Sequence, residues 1–464
     1  MKRDLSLVVS AIAAVLGCAT PPEKAPDAPR GIQVIEDKGH APVEDAPATP
    51  VGVTVLRGAT VLTATGERWA PGWVRVVDGR IAALGAGEPS DGDKVGGAVI
   101  DLTGRWLTPG LIDVHSHLGV YPSPPLKATA DGNEATSPNT AGAWAEHSFW
   151  AEDPGIERAV RGGVTTIHVL PGSANLFGGR GVTFHLRPTR GARAMRLPGA
   201  PDSLKMACGE NPKRVYGQKG GAPSTRMGNV RGQREAFANA ARWLRDNKDK
   251  PAAEVGRDLA METLAGVLEG RILPQVHCYT AQDMLDFLQV AEEFGFSVRA
   301  FHHALEAYKI RDVLVKRQVA VATWADWWGF KLEGWDGIEE SAALIAESGG
   351  RVAIHSDSSE GIQRLNQEAA KALSAGRARG VAVDEREALR WITANPAWIL
   401  GIDDEVGTLE VGKRADMVAW TKDPFSVYAK AERVWIDGAL VVDGERGERG
   451  GPWSDFELGR EVAP

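Results

Sequence analysis

Leu107-Thr-Pro-Gly-Leu-Ile-Asp-Val-His-Ser-His117 is the stretch on which the reading of this chain turns. Leu111, Ile112 and Val114 form an apolar run that reads as a buried strand, with Pro109-Gly110 punctuating its start. Alternate side chains of a strand share a face, so His115 and His117 point the same way. Two imidazoles on one face at a strand end can grip one metal ion. For a lone His-X-His, two hydrogen-bonded core histidines are the better reading, so the rest of the chain has to decide.

On either side of this stretch the text alternates. Before it, from Val51, come short strands: Val53 to Leu56, Ala59 to Leu62, Trp73 to Val77 and Ile81 to Leu84, with Asp78-Gly79 as a tight hairpin turn. Similar text returns at Asp416 to Trp420, Ala431 to Ile436 and Leu440 to Val442. Between them lie eight strand candidates: Ile112–Leu118, Val164–Leu170, Val182–Leu186, Ser203–Cys208, Gln275–Tyr279, Ser297–His303, Ala320–Thr323 and Val352–Ser356. Amphipathic helical text such as Ala281 to Phe294 follows most of them. Eight strand–helix units over roughly 290 residues fit an α/β protein with a (β/α)8 TIM-type barrel. A doubly wound sheet is the alternative, weakened because no Gly-X-Gly-X-X-Gly follows a first strand. The expected organisation is a β-sandwich built from both chain ends, residues 51–108 and 402–450, around a barrel of residues 109–401.

With 464 residues, the chain is long enough for a barrel plus a second domain, and 43% hydrophobic with 25% charged residues is ordinary globular composition. A net charge of −8 argues against nucleic acid or an anionic membrane surface as the main partner and leaves a small-molecule substrate open. Lys2, Arg3 and the apolar stretch Leu5 to Leu16 read as a signal peptide, too short to span a membrane as a mature helix. Val15-Leu16-Gly17-Cys18 resembles the lipobox of bacterial lipoproteins, which makes residues 1–18 a lipoprotein-type signal. Residues 19–50, rich in proline and charge, then read as a disordered tether. The expected location is the periplasmic side of a bacterial membrane, held only through a lipid anchor, with a soluble periplasmic or secreted protein as the alternative. Cys208 and Cys278 lack CxxC spacing and read as small buried fillers.

In a barrel the active site lies at the C-terminal strand ends. Taken in order, those ends carry His115 and His117, Glu210 just after the fourth strand, His277, His302-His303, and Asp357. Imidazoles and carboxylates at one mouth are ligands for zinc or a similar divalent ion. His168 and His185 read as core residues, and His302, in the opposite strand phase to His303, is expected to face the helices. The loop Pro171 to Arg180 and the segment Asn211 to Tyr216 supply candidate substrate contacts, Asn175, Arg214 and Tyr216 among them. Residues 216–232 read as a mobile lid.

With these residues in view, the sequence strongly resembles the amidohydrolase superfamily of metal-dependent hydrolases, in particular its imidazolonepropionase-like exported lipoproteins. The resemblance covers roughly residues 52 to 445. It rests on the opening stretch, on His303-Ala-Leu-Glu306-Ala-Tyr-Lys309, on Ile354-His-Ser-Asp357, on Thr393-Ala-Asn-Pro-Ala and on Gly407 to Asp416. It implies one or two divalent ions, zinc in the first place. His115, His117 and Asp357 would hold the first, His277 and His303 the second. A group on the fourth strand would bridge them: Glu210 by preference, or a carboxylated Lys205. The implied reaction is hydrolysis of a non-peptide, cyclic-amide or dipeptide-like carbon–nitrogen bond by metal-activated water, with Asp357 as proton shuttle. Ester or phosphoester hydrolysis, or a non-catalytic binding protein, are the alternatives. The substrate and the oligomeric state stay open.

Overall fold

The computed structural model describes residues 48–189 and 191–444; the expected signal peptide and nearly all of the tether lie outside the described residues. Two eight-stranded sheets organise the chain. The first joins its two ends. It contains β1 (Val53–Leu62), β2 (Arg68–Val77), β3 (Arg80–Ala86), β4 (Gly97–Asp101) and β5 (Trp106–Pro109). The second sheet follows, with β6 (Leu111–Ser116), β7 (Val164–Val169), β8 (Phe177–His185), β9 (Ser203–Ala207), β10 (Leu273–Cys278), β11 (Ala300–His303), β12 (Ala320–Thr323) and β13 (Val352–Ile354). Then β14 (Met417–Trp420), β15 (Ala431–Ile436) and β16 (Ala439–Asp443) return to the first. The seam is β5 against β14, antiparallel, with Leu107 opposite Ala419 and Trp106 opposite Trp420. Trp420 is buried there and donates its indole N–H to Thr108 Oγ1 at 2.9 Å.

Hairpin turns with two left-handed residues match the twist of the strands they join. Asp78-Gly79 and Asp437-Gly438 are both of this kind, with φ of 48° and 77°, and 51° and 73°. The two turns also touch: a Cβ on Gly438 would stand 3.0 Å from the Gly79 Cα. Glycine is required here by space as well as by backbone angle.

The second sheet runs β6 to β13 in chain order and is a nearly closed barrel. Between its edges, His115 O accepts from Asp357 N at 3.2 Å, and the buried Asp113 carboxylate accepts from the Ser356 amide at 3.2 Å and from its hydroxyl. One strand departs from the expected pattern. β8 is antiparallel to both β7 and β9. Parallel neighbours need a crossover of about a dozen residues or more. Only residues 170–176 join β7 to β8, so the chain turns straight back. The stretch Phe177 to Arg180, expected in a substrate-facing loop, is therefore strand. The expected lid is corrected too: residues 226–232 open the helix Arg226–Asn247.

The barrel floor is plugged. Ala300, Ala320, Ala322 and Ala353 are small inward residues that leave room for Ala397, Ile399 and Leu400 of the helix Ala394–Leu400. Outward residues such as Val276, Phe301 and Val321 pack against the helical layer. Among the described residues no helix is long and apolar enough to cross a membrane.

The reversed β8 delivers His185 to the floor, where the end-built sheet docks. His185 Nε2 lies 2.5 Å from Asp416 Oδ2 and its Nδ1 lies 3.3 Å from Asp437 Oδ2. Arg187 and Arg414 also pair with Asp437, at 3.3 and 2.7 Å. Burial alone would depress the imidazole, but Asp416 and Asp437 outweigh it and raise its pKa to about 9. A group raised on folding stabilises fully below its unfolded pKa of about 6.5, and that contribution is lost as pH rises through about 9. The melting temperature of the wild type should therefore fall between pH 7 and 9.5. His185→Leu, which breaks a buried pair from one side, should cost about 3–5 kcal/mol at pH 7 and flatten that fall. Identical pH profiles for the two proteins in thermal unfolding would contradict the clamp.

Candidate metal centre

The strand ends bring His115, His117, Lys205, His277, His303, His355 and Asp357 to one place. His115, His117 and Asp357 offer ligand atoms within 4.8 Å of one another, and so do His115, His303 and His355. His117 Nε2 is 3.2 Å and His115 Nε2 3.8 Å from Asp357 Oδ1, while His303 Nδ1 is 3.9 Å from Oδ2. The rings of His277 and His303 sit with centroids 4.7 Å apart.

Hydrogen bonds set which nitrogens are available. A carbonyl can only accept, so His117 donates Nδ1–H to Leu170 O at 2.8 Å, which points its Nε2 at Asp357. A longer relay acts on His115. The Gln275 amide donates to Ile399 O, which leaves its oxygen to accept from His302 Nε2 at 2.6 Å. Burial holds His302 and His115 well below the usual imidazole pKa, so both are neutral. His302 Nδ1 must then accept from His115 Nδ1, 2.8 Å away, which turns the lone pair of His115 Nε2 toward Asp357 and Lys205. His302 thus faces the barrel interior, not the helices as expected. The inward positions of β11 are Ala300 and His302; His303 reaches the site because it follows them with a left-handed backbone, φ 66°.

Several nitrogens here have no partner. His277 Nδ1, His303 Nδ1 and both ring nitrogens of His355 are buried without a hydrogen bond. Buried polar atoms are nearly always satisfied, and neutral imidazoles with free lone pairs are what a divalent ion requires. His277 and His303 are likewise held well below the ordinary imidazole range, and His355 is brought down to about 3, in each case first by burial. The donor set fits a metal. His355 escaped the sequence reading although it stands in the quoted Ile354–Asp357 stretch; its parity with Asp357 on one strand was the available signal.

On β9, Lys205 is buried and its Nζ lies 3.4 Å from His115 Nε2. Burial lowers its pKa to about 8, with Asp357 opposing. Glu210 is elsewhere. It begins the helix Glu210–Gln218, and its carboxylate pairs with Lys331 at 3.3 Å. Asp357 keeps its carboxyl below the usual range: burial pushes it up, and His117, His355 and Lys205 together more than reverse that.

The expected substrate contacts separate. Tyr216 donates its hydroxyl to Asn175 Oδ1 and lies equally close to Ser137 O, both at 2.6 Å, and Asn175 donates to Glu134 O and Thr140 Oγ1. Both side chains are buried and committed to bracing the segment 134–140, so neither is presented to a ligand. Arg214 remains exposed near Lys331. His168 bridges Thr183 and Ser203 as a core residue, at 2.9 and 2.7 Å. Cys208 and Cys278, expected as separate fillers, form a disulfide between the ends of β9 and β10 with Cα atoms 5.3 Å apart. Both belong to the outward layer, opposite in phase to Lys205 and His277.

Comparison with known proteins agrees with this architecture. Residues 306–442 match the model of the amidohydrolase family. The amidohydrolase tasK of Hapsidospora irregularis is 34% identical over 405 residues, 82% of this chain; the chain spans only 40% of tasK. An imidazolonepropionase of Mesorhizobium japonicum is 24% identical over 357 residues, covering 70% of this chain and 80% of that protein. The crystal structure of an amidohydrolase from Thermotoga maritima superposes with a TM-score of 0.77 at 34% identity, over 84% of this chain and 100% of that one. With that whole structure covered at such identity, the chain belongs to the amidohydrolase family of hydrolases.

Proposed function

We propose that the chain is a metal-dependent amidohydrolase that cleaves a carbon–nitrogen bond of a small, non-peptide, cyclic-amide or dipeptide-like substrate. The observation that carries this is the set of buried imidazole nitrogens without partners around Asp357. His115, His117 and Asp357 would hold one divalent ion, and His277 and His303 a second, with zinc the best match to nitrogen and carboxylate donors. Lys205 replaces Glu210 as the proposed bridge, because Lys205 points at His115 and Glu210 is paired with Lys331. A bound divalent ion supplies a water acidified toward a pKa of about 7 and polarises the scissile carbonyl. Asp357 stands against His115 and His117 in the same centre, where its carboxylate would accept a proton from the attacking water and deliver it to the leaving nitrogen. The relay from Gln275 through His302 keeps His115 in the ligating tautomer.

Purified protein of measured metal content, offered N-acyl amino acids, dipeptides and lactams beside esters and phosphoesters, tests this reading. Turnover confined to the amides is expected; turnover confined to esters or phosphoesters would overturn it. We also propose export with lipid attachment at Cys18. Membrane fractionation of a Cys18→Ser variant checks that step, and unchanged fractionation and processing would remove it.

A further inference from the structure

The loop after β12 has a composition that the metal chemistry does not need. Trp324, Trp327, Phe330, Leu332 and Trp335 crowd into residues 324–335. Trp324 is buried, stacks on His303 at 4.4 Å between centroids and donates its indole N–H to Ser356 O at 3.2 Å. From it the rings continue outward. Trp327 stacks on Trp324 at 5.7 Å, and Phe330 meets Trp324 and Tyr279 edge-on at 5.9 and 6.1 Å. Trp327 and Phe330 end in solvent, 42% and 56% exposed. An aromatic wall thus begins at a residue of the metal centre and runs to the mouth.

The loop is anchored at its base. The buried Glu333 accepts from the Glu210 amide at 2.9 Å and pairs with Arg226. A Cβ on Gly209 would stand 2.6 Å from Glu333 Oε2, so the approach depends on that glycine. Lys331 is held too. Its ammonium lies 4.1 Å from the centre of the Tyr279 ring, 3.0 Å from Asn211 Oδ1 and 3.3 Å from Glu210 Oε1. Tyr279 and His277 have centroids 4.7 Å apart, and Asn211 Nδ2 is 3.3 Å from His277 Nε2. One side-chain layer therefore separates the ammonium from the metal centre. Lys331 pairs with Glu210 and also feels Glu333, which Arg226 engages together with Asp283, and the exposed Arg214 lies beside them.

We propose that this loop sets the substrate class: an amide with an aromatic or bulky apolar group laid along Trp327 and Phe330, and a free carboxylate received by Lys331 and Arg214. The inference rests on the amide-hydrolysis reading above. An ammonium offers a point charge and Arg a fork, and a charge-assisted hydrogen bond is about twice as strong as a neutral one. Contact with the wall removes apolar surface from water.

Three acetamides separate the contributions: N-acetylphenylalanine, N-acetyl-2-phenylethylamine without the carboxylate, and N-acetylglycine without the ring. The first should exceed the second in kcat/KM by about 10–100-fold. Lys331→Met should bring that ratio close to one, Lys331→Arg should retain most of it, and the preference for the ring over glycine should survive both. Phe330→Ala should reduce the preference for the ring. A wild-type ratio near one, or a full ratio in Lys331→Met, would overturn the proposal. If no acetamide is hydrolysed, calorimetric binding of 3-phenylpropionate decides this proposal separately from the amide-hydrolysis reading. Weakening of about 10-fold or more in Lys331→Met, restored in Lys331→Arg, supports it; equal binding by Lys331→Met overturns it.

Discussion

Asp357→Asn is expected to lower kcat on an amide substrate by at least ~10²–10⁴-fold, the usual worth of general acid–base assistance. The substitution is chosen to leave the fold alone. Asp357 sits at φ 49°, a left-handed conformation that Asn tolerates as well as Asp. Its amide still donates to His115 O, and Asn keeps one oxygen toward His117 Nε2, 3.2 Å from the present carboxylate. What disappears is the basic site. Metal content should fall far less than in His115→Ala, which deletes a ligand whose lone pair the Gln275–His302 relay has aimed. Metal analysis beside steady-state kinetics reads both quantities. Turnover near the wild-type rate with metal in place would contradict the shuttle.

Lys205→Ala should abolish activity and lower metal content, and added bicarbonate or short carboxylic acids should restore part of both. A buried amine at 3.4 Å from His115 Nε2 is badly placed as a cation among neutral imidazoles that need to bind one. Carboxylation resolves the conflict. The neutral amine would form a bond to the carbon of carbon dioxide with loss of a proton, and the resulting carbamate would be an anionic two-oxygen ligand at the same position. Rescue matters because Lys205→Ala also empties core volume, and a purely structural defect would not respond to a small acid. Glu210→Ala should keep its metal and alter only the Lys331 surroundings. The reverse pattern, with metal lost in Glu210→Ala and kept in Lys205→Ala, would restore the sequence-based preference for Glu210.

Much of this was legible in the chain before its fold. Each of the eight expected strands overlaps a strand of the barrel, although β8 begins at Phe177 and not at Val182, and the seam of β5 with β14 joins the two β-rich ends. His115, His117, His277 and Asp357, which the structure gathers at one mouth, were picked out as strand-end residues, while His355 beside them was missed. Where the reading failed, the cause was a local break in strand geometry. Period-two alternation assigned His302 and His303 to opposite faces, but a left-handed residue at the strand end turned His303 into the site behind an inward His302. The count of strands said nothing of direction, and only the short 170–176 link shows that β8 reverses. Glu210 stood nearer the mouth in sequence than Lys205. Yet the strand ends at Ala207, Gly209 adopts φ 75°, and the helix beginning at Glu210 carries that carboxylate to Lys331. The Cys208–Cys278 disulfide depends on β9 and β10 being neighbours, which spacing cannot reveal.

The metal chemistry requires that the partnerless imidazoles be ligands. The most direct measurement is metal per chain in the purified protein, before and after chelation, read beside hydrolysis of an amide. One or two divalent ions per chain, amide turnover lost on chelation and regained with zinc, is the predicted result. Protein free of metal that hydrolyses the amide undiminished, and that regains neither metal nor rate dependence when zinc is supplied, would contradict it.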